Sequence, residues 1–181
     1  MKKFLTLKNI LLCGACVFAL VAFILSFTSG VLLKDGNGIS AMFYNFIWGP
    51  KRFSEMGHEA PIPAELLPIP VATLPLVGAL LVIVGAVAAV VIGLLVKKPF
   101  AKWIVLACGA LVLLGGVFFF LFKSGVTAQF AKIMGMTIEE AKQFIETDGI
   151  KFSSTGAVIG GILGILAGGL CVTSALLPEK K

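Results

Sequence analysis

The sequence predicts an all-α membrane protein, a bundle of four transmembrane helices built from two parallel-repeat helical hairpins, with short interfacial helices in the outer loops. Three observations carry this fold class. The 181-residue chain is 59% hydrophobic and only 13% charged, with a mean hydropathy of +1.06. A water-soluble domain of this length needs far more charge to stay dispersed. Four long apolar runs interrupt an otherwise short chain, and part of the first run recurs in the third.

The runs cover residues 10–33, 71–96, 103–122 and 153–177, and none contains Asp, Glu, Lys, Arg or His. Each is long enough to cross a hydrocarbon core about 30 Å thick, which takes roughly 20 helical residues. Inside lipid a helix satisfies its own backbone, and these runs lack the alternation of barrel strands. Four spanning helices are therefore expected.

Orientation follows from the lysines. Segments 1–9, 97–102 and 178–181 hold eight lysines (Lys2, Lys3, Lys8, Lys97, Lys98, Lys102, Lys180, Lys181) and one acid, Glu179. Segments 34–70 and 123–152 hold seven basic residues against eight acids. The excess of lysine marks the cytoplasmic side, so both termini and the 97–102 turn are expected there, in a multi-pass protein of the plasma membrane. The net charge of +6 does not point to nucleic acid. It forms no basic helix or groove-sized patch, and Arg52 is the single arginine, which serves bidentate phosphate recognition poorly. Met1-Lys2-Lys3 ahead of an apolar run has the outline of a secretory signal, but the run is long for one, and the first helix is expected to be retained.

Retention also follows from an internal duplication. Without a gap, residues 10–31 align on 105–126, placing Cys13-Gly14-Ala15 over Cys108-Gly109-Ala110, Phe23 and Phe27 over Phe118 and Phe122, and Ser29-Gly30-Val31 over Ser124-Gly125-Val126. A weaker match places 73–98 on 155–180, with Thr73, Gly78, Leu81 and Val90 over Thr155, Gly160, Leu163 and Val172. The expected organisation is a first hairpin over 1–98 with outer loop 34–70, and a second over 99–181 with outer loop 123–152. Both run in the same sense, as a parallel repeat about an axis along the membrane normal.

The outer loops differ. In loop 34–70 a Gly-rich start leads to Phe43, Tyr44, Phe46 and Trp48, then to Pro61, Pro63, Pro68 and Pro70. The aromatics suit a short helix at headgroup level, and the prolines an extended return to the membrane. In loop 123–152, Thr137 with Glu140 three residues on forms a capping-box pattern. Ile138, Ala141, Phe144 and Ile145 would make one apolar face of the helix that follows, and Gly149 would stop it.

Candidate functional residues are few. Cys13, Cys16, Cys108 and Cys171 all lie inside the spans. Outer-loop disulfides are thereby excluded as a fold constraint, which also counts against the tetraspanin and claudin families, four-span proteins that carry cysteines in those loops. If the four thiols converged near the cytoplasmic ends they could hold zinc or an iron–sulfur cluster; as single residues they are small apolar packing groups. No metal site or cofactor is assigned on this basis. His58, flanked by Glu55 and Glu59, reads as a solvated loop residue. The chain has no HExxH, Walker-type loop or nucleophile elbow, so no catalytic residue is assigned.

Glycine is more telling. Gly156, Gly160, Gly164 and Gly168 recur every four residues in the fourth span, and Gly85 and Gly93 flank Ala89 in the second. Such stripes let a second backbone approach closely, within the bundle or between protomers. For partner contact, Tyr44, Trp48 and Arg52 in the first outer loop are the residue types that dominate binding hot spots. The function expected is a non-enzymatic scaffold or accessory subunit. It would lie in the lipid bilayer and bind a membrane protein partner or a second copy through loop 34–70 and the glycine seam. The alternatives are a small two-repeat transporter or channel for a neutral or lipidic solute, or a membrane enzyme or redox protein using the buried cysteines. Ion-coupled transport is disfavoured because the spans carry no charge.

Overall fold

The computed structural model describes residues 6–27, 30–32, 42–44, 52–55, 58–60, 73–96, 99–147 and 151–177. Among them are six helices: α1 (Leu7–Ser26), α2 (Thr73–Leu95), α3 (Ala101–Phe120), α4 (Phe122–Met134), α5 (Ile138–Thr147) and α6 (Thr155–Leu176). Helices α1, α2, α3 and α6 are long and apolar enough to cross a membrane, and they fall within the four apolar runs to within a few residues.

The boundaries have local causes. Helix α1 begins earlier than the apolar run because Thr6 caps it, its side chain accepting the Asn9 N–H at 3.4 Å. It ends at Ser26 rather than extending to 33, because Gly30–Leu32 is already a strand. Helix α3 stops at Phe120, where the Leu121 N–H bonds back to Phe118 and Phe119. The chain then resumes as α4, a helix within the segment expected as loop. The Leu121 carbonyl accepts both the Gly125 N–H at 2.8 Å and the Ser124 hydroxyl at 3.0 Å, so the second helix starts directly from the first. Phe122, Val126, Thr127 and Ala131 are buried along one face of α4, which packs on α2 and α3. Gly135 ends it in the left-handed conformation at φ 65°, with Met136 N–H reaching back to Ala131 O.

In the bundle α1 packs against α2 and α6, and α3 packs against α2 and α6, while α2 and α6 also touch across the centre. Helices α1 and α3 thus stand at opposite corners. Small side chains fill much of the interior, among them Ala15, Ala19, Ala22, Ala79, Ala86, Ala89, Ala157 and Ala167, beside a few larger ones such as Leu12 and Phe119, while Leu20, Ile24, Leu80, Leu111, Leu114, Ile162 and Leu166 face outward. A water-soluble bundle does the reverse. With lipid outside, no hydrophobic force gathers the helices, and close van der Waals packing between small residues takes over. No charged side chain is buried among the described residues; the buried polar groups are Ser26, Thr127 and Ser174. Each bonds a carbonyl of its own helix, Ser26 to Phe23 at 2.6 Å, Thr127 to Lys123 at 2.9 Å and Ser174 to Cys171 at 2.7 Å.

Beside the helices, the connections between spans carry short strands. Five short strands, β1 (Gly30–Leu32), β2 (Met42–Tyr44), β3 (Arg52–Glu55), β4 (His58–Ala60) and β5 (Lys151–Ser153), form an antiparallel sheet in the order β4-β3-β2-β1-β5. The segment expected as an interfacial helix is extended at Met42–Tyr44. Aromatic residues favour a pleated surface, and β1 and β3 supply the backbone partners on either side. Strands β1 and β5 join the two outer loops, Val31 opposite Phe152, directly beyond the neighbouring helices α1 and α6.

Burial separates the two internal alignments. Pro75, Gly78, Ala79, Val82, Gly85, Ala86 and Ala89 are the buried residues of α2, and their aligned counterparts Ala157, Gly160, Gly161, Gly164, Ala167, Gly168 and Cys171 are all buried in α6. The stronger-looking match behaves oppositely. Leu12, Ala15, Ala19 and Ala22 are buried in α1, yet their aligned residues Ala107, Ala110, Leu114 and Val117 are exposed. The Ser-Gly-Val triplets also differ, Gly30 and Val31 being strand and Gly125 and Val126 helix.

Candidate functional site

Glycines line the contacts between the helices. A Cβ added at Gly116 would lie 2.7 Å from Ile165 N and 3.0 Å from Gly161 O, and one added at Gly164 would lie 2.9 Å from Gly116 Cα. Further along the same α3–α6 contact, a Cβ at Gly168 would meet Leu113 and the Gly109 carbonyl, and one at Gly109 would meet Cys171 and Val172. Between α2 and α3, Gly78 faces Gly115, and Gly85 faces Val112 and Cys108 O. All of these glycines are buried.

The stripe expected on α6 therefore divides between two neighbours. Gly164 and Gly168 face α3, whereas Gly160 faces α1, its added Cβ falling 3.3 Å from Ala22 O. Gly156 is buried at the start of the same helix. A Cβ added at Gly93 of α2 would lie 2.6 Å from Leu12 Cδ1 of α1. The sequence reading singled out glycines on α6 and α2 and missed Gly109, Gly115 and Gly116 on α3. The signal was present: adjacent helix positions point about 100° apart, so a Gly-Gly pair opens a helix to two neighbours at once. Here Gly115 admits α2 and Gly116 admits α6.

The four cysteines do not form one site. Cys13 is exposed on α1, Cys16 and Cys108 are half-buried, and Cys171 is buried. Among the described residues no group of three or more His, Cys, Asp or Glu side chains is placed to hold a metal ion. Rotation about each helix, which the sequence does not give, leaves Cys13 exposed while Cys171 is buried.

Of the partner-contact candidates, Tyr44 lies in β2, its backbone opposite Val31, and Arg52 lies in β3, opposite Phe43. Trp48 lies outside the described residues, as do the loop prolines and Gly149. The Thr137–Glu140 capping box is formed as expected. The Thr137 N–H donates to Glu140 Oε2 at 2.7 Å, the Thr137 hydroxyl donates to it at 2.9 Å, and the Glu140 N–H donates to Thr137 Oγ1 at 3.3 Å. The backbone N–H, and then the hydroxyl, hold the Glu140 carboxyl below the usual carboxylate range. In the helix they cap, Ala141 and Ile145 are buried while Ile138 and Phe144 are exposed, so the apolar face is only half covered by the chain itself. Comparison with protein-family models, with curated proteins and with solved structures finds no match to this chain.

Proposed function

We propose that the chain is a non-enzymatic scaffold or accessory subunit of the plasma membrane that engages a membrane protein partner through its outer surface. The observation that carries this reading is the five-stranded sheet, which gathers segments of both outer loops into one element and holds the backbones of Tyr44 and Arg52 on adjacent strands. Hot-spot residue types held on neighbouring strands of one sheet are what a docking surface needs. The glycine contacts take a different part in this reading: they are filled by the chain's own helices, so they hold the bundle together and leave recognition to the outer elements.

Two finer points belong to the same proposal. The lysine-rich ends lie in the cytoplasm, and the described lysines Lys8 and Lys102 line one common end of the bundle, which supports that orientation. The two hairpins are a parallel repeat in a register that pairs α1 with α3 two positions away from the best sequence match. Supporting it, Gly78 of α2 meets the Gly115 carbonyl of α3, and Gly160 of α6 meets the Ala22 carbonyl of α1. In the shifted register Leu12, Ala19 and Ala22 fall on buried Val105, Val112 and Gly115.

The test is co-purification from mild detergent. Replacing Tyr44, Trp48 and Arg52 together with Ala should leave membrane insertion intact and remove the stoichiometric partner. Retention of that partner by the triple variant, with loss of an activity in Cys108→Ser or Cys171→Ser, would replace the scaffold by a thiol-based function.

A further inference from the structure

Where α1 and α3 begin and α6 ends, the bundle opens into a cleft of about 360 Å³. Its walls include Lys8, Lys102, Trp103, Leu106, Leu176 and Leu177. The volume falls in the range of small-ligand sites, roughly 300–1,000 Å³. Two features separate it from an ordinary gap between helix ends. Lysines from two different helices line it, and its described lining residues are otherwise apolar. The only acid in the chain's lysine-rich segments is Glu179. The rim is also apolar: Trp103 is 64% exposed and Leu176 is 70% exposed. The Lys102 ammonium sits 5.5 Å from the centre of the Trp103 ring, where the ring's negative face helps hold it.

A cleft lined by two lysines and by apolar and aromatic side chains matches an amphiphile carrying a negative head and a hydrocarbon tail. Tryptophan at a helix end marks the headgroup level of a bilayer, and basic pockets between spanning helices select anionic headgroups. We infer that this cleft binds the phosphate headgroup of an anionic phospholipid, with Lys8 and Lys102 on the phosphate and an acyl chain lying over Leu106 and Leu176. The site is separate from the outer surface, so it can fail while the scaffold reading stands.

Native mass spectrometry of the detergent-purified full chain, titrated with phosphatidylglycerol or with phosphatidylcholine of the same acyl chains, tests it. The wild type should retain phosphatidylglycerol selectively. A juxtamembrane lysine contributes roughly fivefold in affinity, so Lys8→Gln with Lys102→Gln should lower retention by about thirtyfold. Lys123→Gln with Lys132→Gln, at the opposite end, should not change it. Equal retention of both lipids, or an equal loss from the far-end pair, overturns the site. Displacement of the lipid by excess inorganic phosphate also overturns it, by showing a site for the free anion. A photoactivatable phosphatidylglycerol on unmodified protein gives a second reading that needs no variant to fold. Labelling should concentrate on Trp103, Leu106 and Leu176, and labelling spread evenly over the spans refutes the proposal.

Discussion

Gly78 and Gly115 block each other reciprocally: a Cβ built on either would lie 2.7 Å from the carbonyl oxygen of the other. Both obstacles are helix backbone, which cannot swing aside as a side-chain tip can. Gly78→Ala and Gly115→Ala should therefore each destabilise the bundle by about 1–3 kcal/mol, the usual cost of overpacking. Gly160→Ala should cost less, because its nearest obstacle, Ala22 O, is 3.3 Å away. Gly169→Ala should be tolerated, having nothing within 4 Å. Thermal unfolding in detergent orders the four variants, and equal tolerance at all of them would reduce the glycines to composition.

The capping box gives a prediction in pH. The folded state holds Glu140 below its ordinary range through bonds from Thr137, so the ionised form is the one that stabilises α5. That contribution is fully present above the unfolded carboxyl value, about 4.3, and disappears as pH falls through the lower folded value. Protection of the α5 amides, taken relative to the intrinsic exchange rate at each pH, should fall on acidification, and Glu140→Gln should abolish most of that dependence. Thr137→Ala should raise exchange in α5 at neutral pH while leaving α6 unchanged.

Topology can be read with reporter fusions. Reporters after Lys181 and within 97–102 should report the cytoplasm, and reporters near Gly57 and Met136 the outer side. An external C-terminus would reverse the orientation and with it the leaflet that supplies lipid to the Lys8–Lys102 cleft.

The sequence revealed what has a single physical solution. An uncharged apolar run of twenty-odd residues can satisfy its backbone in lipid only as a helix, so the four spans were legible. Thr137 and Glu140 recognise each other within one turn, so that cap was legible too. Helix rotation was not. Identities among apolar residues accumulate cheaply, and the Cys-Gly-Ala match placed buried Ala15 over exposed Ala110. Two positions along a helix amount to about 200° of rotation, enough to turn a core face into a lipid face. What fixes rotation is which backbones can meet, and the weaker alignment of α2 on α6 agreed with burial because it kept small residues in phase. The outer strands escaped notice for another reason. Each spans only three or four residues, and their pairing depends on partners far away in the chain.

The β1–β5 pairing makes the final prediction, because among the described residues it links the backbones of the two outer loops and is the basis for treating them as a single surface. Val31 stands opposite Phe152, and directly opposed residues in an antiparallel pair lie about 4.5–5.5 Å apart at Cα. A disulfide needs roughly 4.4–6.8 Å. Val31→Cys with Phe152→Cys should therefore oxidise readily. A protease site placed in the 97–102 turn turns this into a gel assay: after cutting, the two hairpins should stay joined until a reductant is added. Val31→Cys paired with Gln143→Cys, on the exposed side of α5, should leave them separable. If the outer sheet is what the partner recognises, the Val31–Phe152 crosslink should preserve or strengthen partner retention, since it locks the bound arrangement. A crosslink that forms but releases the partner would mean that recognition requires the two loops to part, and the sheet would then be a resting state rather than the docking surface.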